Sequence, residues 1–156
     1  MTKYENLIIT AEKEGAKVIE INFGTPKKCG KCIDNLIFIN SVLNQNDKYS
    51  VLAEELGHYH TTYGDITNQR EISNVKQELK ARRWGYKHIV TLEGIIEAFE
   101  NNCLNEYEMA EYLGVTDEYF RECIEDYKRQ YGLSCRLGKY YITLEPRLGI
   151  YKKFDF

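Results

Sequence analysis

Apolar residues recur along the chain with two different periods, and the switches between them mark out its elements. In TKYENLIITAEKEG, Tyr4, Leu7 or Ile8, and Ala11 stand at helical spacing, and Gly15 supplies the stop. In KVIEINFG, Ile19, Ile21 and Phe23 alternate with Val18, Glu20 and Asn22, which predicts a strand. A polar loop with two cysteines follows, and IDNLIFIN (33–40) predicts a second strand, pairing with the first as an antiparallel ribbon. The segment NQND (44–47) offers capping side chains to a helix that begins near Lys48. A polar connection at 63–73 leads into a second long helix, EISNVKQELKARRWGYKHIV. Thr91 caps a third, LEGIIEAFENN; Asn105 with Glu108 makes a capping-box pattern for NEYEMAEYLG; Thr116 caps TDEYFRECIEDYKRQYG. The end, RLGKYYITLEPRLGIYKKF, sets β-branched and aromatic residues around a Pro and a Gly, which predicts a terminal hairpin. The sequence contains no long linker and no repeat. A soft boundary near residue 104 separates 1–104 from a helical extension, 105–156, expected to pack on the first part as one unit.

Composition narrows the class. A chain of 156 residues with 43% hydrophobic and 13% aromatic residues can bury a core, which argues against intrinsic disorder. Twenty-one basic residues against 24 acidic ones leave a net of −3, which does not steer the chain toward nucleic acid or anionic lipid. No charged segment followed by an apolar run opens the sequence, and LIFI at 36–39 is far too short to span a bilayer. The expectation is a soluble, cytoplasmic protein without a membrane partner. Five cysteines, an odd number, fit a reducing compartment better than a disulfide framework.

The candidate chemistry lies in VLAEELGHYHTTYGD, Val51 to Asp65. Zinc peptidases carry H-E-x-x-H on a helix; here the five residues are Glu54, Glu55, Leu56, Gly57 and His58. Residues four apart share a helix face, so Glu54 and His58 can grip one ion together. Glu55 sits about a quarter-turn away. Glutamate reaches about as far as the distal histidine nitrogen, and carboxylate oxygen is a zinc ligand at roughly 2.0–2.2 Å. A catalytic zinc takes three protein ligands and keeps one open position. The third is best supplied by Glu78 in KQELKARRWGY, on the next helix, with His60 and His88 as alternatives. Val75, Leu79 and Trp84 are the apolar residues expected to pack that helix on its neighbour.

VLAEELGHYH followed by QELKARRWGY resembles the ImmA/IrrE family of zinc-dependent peptidases, and the order of elements matches from about residue 3 to about residue 130. The resemblance implies an α+β, zincin-like small domain. Its parts are an N-terminal antiparallel β-ribbon, a metal-site helix pair, a helical (helix-turn-helix-like) C-terminal part and a terminal β-hairpin. It further implies Glu55 as general base, with His58 and Glu78 as zinc ligands and Glu54 in the place of the missing histidine. Two carboxylates and one imidazole cancel the charge of a divalent ion, which lowers its Lewis acidity and leans the site toward manganese as an alternative. Tyr59, Tyr63, His60 and His88 are candidates to stabilise an oxyanion. The implied function is cleavage of a protein partner, a helix-turn-helix repressor of a phage or mobile element. The alternative is a catalytically degenerate anti-repressor that binds without cleaving.

Three other features carry less. AEYLGVTDEYFRECI (110–124) has the outline of a helix-turn-helix, but Asn105 to Tyr131 holds eight acidic and three basic residues, a net of −5 that phosphate would repel. No direct nucleic-acid partner is expected, and the segment reads as a helical hairpin. CGKC at 29–32 lies beside Lys27, Lys28 and Lys31, which can lower a thiol pKa, yet no second C-x-x-C exists to complete a metal knuckle. Cys103, Cys123 and Cys135 read as packing residues. The basic run of Lys76, Lys80, Arg82, Arg83 and Lys87 reads as a solvated helix face.

Overall fold

In the computed structural model of the chain, residues 1–27, 29–61 and 72–153 are described, with the backbone alone at 72–74. Contacts divide the chain into two compact units, Met1–His88 and Ile89–Phe156; the sequence suggested a boundary near 104. The class is α+β, as expected. No helix among the described residues is long and apolar enough to cross a membrane.

The first unit opens with α1 (Lys3–Lys13), whose N-terminus is closed by a reciprocal capping box. Thr2 Oγ1 accepts from Glu5 N at 3.1 Å, and Thr2 N donates to the Glu5 carboxylate at 3.4 Å. Three strands follow, β1 (Lys17–Ile21), β2 (Gly30–Ile33) and β3 (Leu36–Asn40), in the order β1-β3-β2. Here the structure corrects one expectation. The two apolar runs do pair, but in parallel, with Lys17 opposite Leu36 and Ile21 opposite Asn40. The antiparallel partner of β3 is β2, drawn from the cysteine segment expected as a loop. The reason is local. Asp34 and Asn35, read as strand interior, form the hairpin turn, and Asp34 takes the left-handed φ of 53° that Asx side chains tolerate.

Helices α2 (Gln45–Thr61) and α3 (Ile72–Ile89) complete the unit. Tyr4, Ala11 and Ala16 share a core with Ile37 and Ile39 of the sheet and with Leu52 and Leu56 of α2. Each fully buried Ile or Leu contributes about 2 kcal/mol. Lys48 Nζ reaches Glu20 Oε1 at 2.7 Å, and Tyr4 Oη donates to Glu20 Oε2 at 3.2 Å, which ties α1, β1 and α2 together. The leucine stripe of α2 faces this core, and Glu54 and His58 lie outside it.

The second unit comprises α4 (Leu92–Glu100), α5 (Glu106–Leu113), α6 (Asp117–Tyr131), β4 (Ser134–Leu137), β5 (Tyr140–Thr143) and β6 (Gly149–Lys152). The three expected caps are made: Thr91 accepts from Gly94 N at 2.8 Å, Asn105 from Glu108 N at 2.8 Å and Thr116 from Tyr119 N at 3.1 Å. The return bond of Glu108 goes to Leu104 N at 2.8 Å, one residue ahead of the usual box. Gly114, at φ 77°, turns α5 into α6. Phe120, Cys123 and Ile124 are buried, and Tyr127 donates to the Val90 carbonyl at 2.7 Å. The expected terminal hairpin is a three-stranded antiparallel meander, β4-β5-β6. Its first turn uses Gly138 at φ 60°, and SCRL at 134–137 supplies the third strand.

Candidate metal centre

Helices α2 and α3 pass each other at Gly57. A Cβ built there would lie 2.1 Å from the Ala81 carbonyl oxygen, so only glycine permits this approach. Glu54 faces Arg82 and His58 faces Glu78, pairings that run in opposite senses along the two helices, which are therefore antiparallel. The approach was expected to rest on Val75, Leu79 and Trp84. Instead Val75 and Leu79 are exposed, at 50% and 39%, because small residues let the backbones meet directly; Trp84 does pack on the core.

Through this contact Glu54, His58 and Glu78 converge. One ligand atom from each lies within 4.8 Å of the other two. His58 Nε2 stands 3.3 Å from Glu78 Oε2. Arg82 Nε is 3.8 Å from an oxygen of Glu54 and 3.8 Å from one of Glu78. The composition of the basic run gave no sign that Arg82 belongs here; its one signal is the four-residue spacing from Glu78. Glu55 is turned toward the sheet. A Cβ at Gly30 of β2 would lie 3.3 Å from Glu55 Cγ and 2.6 Å from Val51 Cγ1, so β2 rests on α2 beside this carboxyl.

The electrostatics show two acids competing with one imidazole. Burial raises the Glu54 carboxyl above its ordinary value, Arg82 opposes this, and Glu78 adds to it. Glu78 is lowered, chiefly by its hydrogen bond with His58. Burial pulls His58 down, but the Glu78 partnership outweighs it, and the imidazole is raised overall. Glu55 is pushed up to about 7 by burial, with His58 pulling the other way. Two crowded carboxyl groups and an imidazole, offset by a half-exposed arginine, form a donor set that suits a divalent cation. A cation would take over the charge balance that Arg82 supplies in part.

The alternative ligands stand elsewhere. His60 Nε2 meets Glu14 Oε2 at 2.5 Å, and its ring stacks on Trp84 with centroids 5.0 Å apart. His88 stacks on Trp84 at 3.8 Å, its Nδ1 2.6 Å from the Trp84 carbonyl. Tyr59 donates to the Glu14 carbonyl at 2.9 Å. Of the oxyanion candidates, Tyr63 lies outside the described residues and the other three have these partners. The CGKC thiols also differ from expectation. Burial, followed by nearby carboxylates, raises both thiols, Cys32 to about 11, opposite to the lowering expected from the lysines.

A small mixed sheet beside two antiparallel helices, with Glu and His four residues apart on one and a Glu on the other, defines a domain of the metallopeptidase type. The family model described as the IrrE N-terminal-like domain matches residues 11–141, and the chain belongs to that peptidase family. No match was found among curated proteins or among solved structures.

Proposed function

We propose that the chain is a cytoplasmic metal-dependent endopeptidase that cleaves a helix-turn-helix repressor of a phage or mobile element. Glu54, His58 and Glu78 hold zinc, or manganese, and Glu55 is the general base. The reading is carried by the convergence of three ligand atoms within 4.8 Å across two helices. When bound, the ion supplies Lewis acidity toward a peptide carbonyl and an activated water. Glu55 accepts a proton from the attacking water and returns it to the leaving amine. Gly57 keeps His58 and Glu78 within reach of one ion. Among the described residues β2 ends its sheet, with its outer backbone groups unpaired, and passes Glu55 at Gly30. An extended segment of substrate adding to that edge would lie alongside the base.

Arg82 favours a second reading, because a guanidinium beside both carboxylates can balance them without metal. In that case the protein binds the repressor and does not cut it. Incubation of a candidate repressor with wild type and Glu55→Gln, in the presence of zinc or manganese, separates the two. Cleavage by wild type alone supports the peptidase. Equal cleavage by both removes Glu55 from the chemistry, and stable binding without cleavage by either selects the second reading.

A further inference from the structure

The open face of the C-terminal sheet carries a surface that uses no residue of the metal centre. Tyr140, Ile142 and Ile150 turn inward and are buried, so strand alternation sends Ser134, Arg136, Tyr141, Thr143, Gly149 and Tyr151 outward. The register aligns them in two rows. Arg136 lies opposite Tyr141 and Tyr141 opposite Tyr151; beside them, Ser134 lies opposite Thr143 and Thr143 opposite Gly149. Both tyrosines reach over the row of small residues. Tyr141 Oη is 2.7 Å from Ser134 Oγ, and a Cβ on Gly149 would lie 3.2 Å from Tyr151 Cε2. Even so, Tyr141 stays 47% and Tyr151 60% exposed.

Cations border this aromatic row. Arg136 stands at one end and Lys153 beside it, its N–H donating to the Lys139 carbonyl at 2.7 Å, while Lys139 Nζ lies 5.8 Å from the centre of the inward-turned Tyr140 ring. Neither Arg136 nor Lys153 pairs with a carboxylate among the described residues. From Ser134 to Lys153 the chain holds five basic residues and one acidic residue, a net of +4, and that one, Glu145, is bonded to Lys128. Among the described residues the face presents no aliphatic side chain, which disfavours an apolar protein partner.

We infer that this face binds single-stranded nucleic acid, with bases stacked on Tyr141 and Tyr151 and phosphates met by Arg136 and Lys153. Neighbouring strands about 4.8 Å apart set the two rings side by side, and the bases of a single strand are free to lie on them, which those of a duplex are not. An acidic peptide would satisfy the cations but leave two rings without a flat partner. The expectation of no nucleic-acid partner came from the overall charge and from the acidic helices. The sheet gathers its positive charge on a separate surface.

Titration of a fluorescein-labelled oligothymidylate with the full chain, followed by anisotropy, tests the inference. Saturable binding is expected, weakening as salt rises from about 50 to about 200 mM. Tyr141→Ala and Tyr151→Ala should each weaken it about five-fold or more. Tyr141→Phe keeps the ring and should bind as wild type does, as should Tyr107→Ala, which alters an exposed tyrosine away from the sheet. No saturation, unchanged binding by both alanine variants, equal affinity for a duplex, or displacement by oligoglutamate as readily as by unlabelled oligothymidylate would each overturn it.

Discussion

Gly57 and Ala81 bring two helix backbones into direct contact, and the metal centre depends on that contact. The atom facing Gly57 is a backbone carbonyl oxygen, 2.1 Å from where a Cβ would stand, so no rotamer change can make room. Gly57→Ala must therefore move α2 away from α3. His58 is the next residue and Glu78 lies one turn before Ala81, so both lose their common focus. The expected outcome is a loss of about 1–3 kcal/mol in urea unfolding together with loss of metal binding. A variant that keeps wild-type metal affinity would show that the helix contact does not set the ligand geometry.

Zinc should raise the melting temperature of the wild type, since a ligand that binds only the folded state stabilises it by mass action. His58→Ala and Glu78→Ala should each abolish the shift. Glu54→His restores the two-histidine pattern, and imidazole suits zinc better than a carboxylate does. It should tighten zinc roughly tenfold and reduce the relative affinity for manganese, as measured by competition with a chromogenic chelator. Equal zinc affinity in wild type and Glu54→Ala would remove position 54 from the ligand set.

Arg82 competes with the ion for the same two carboxylates. It is 54% exposed along its side chain, so its pairing is screened and worth under about 1 kcal/mol. Arg82→Gln should tighten divalent metal binding a few-fold, with the effect fading as salt rises. Weaker binding would mean instead that the guanidinium helps to place Glu54 and Glu78.

How much of this was legible in the sequence followed from how local each signal is. Thr91, Asn105 and Thr116 were read as caps because a cap involves residues within one turn, and all three bonds are made. Glu54 and His58 were paired from helical periodicity, and Glu78 was reached by counting to the next helix. Strand partnership is non-local. The parallel pairing of β1 with β3 was hidden because Asp34 and Asn35 sit inside an apolar run, where only backbone geometry reveals a turn. The role of Gly57 is not written in the motif, since the meaning of a glycine in a helix depends on what lies against it. Arg82 was masked by its basic neighbours, and the two tyrosines of the terminal sheet became a row only once register was known.

Cys32 reports on the acidity of the site from the sheet side. Its thiol is raised to about 11, first by burial, then by Glu55 and Asp34. A raised thiol pKa means less thiolate at any given pH, and thiolate is the alkylated form. In the folded protein, iodoacetamide labelling of Cys32 should therefore stay slow at pH 9 and climb toward pH 11. In urea it should follow an ordinary cysteine, with half-maximal rate near pH 8.5 or so. The same sign applies to stability: whatever the folded state gains from holding this thiol protonated is complete below the unfolded value and is lost as pH rises through the folded one. Glu55→Gln removes one of the two charges that hold the proton on, so its labelling profile should move to lower pH, followed peptide by peptide in a mass spectrometer. A profile unmoved by that change would leave burial and Asp34 as the causes and place the Glu55 carboxylate too far from β2 to sense it.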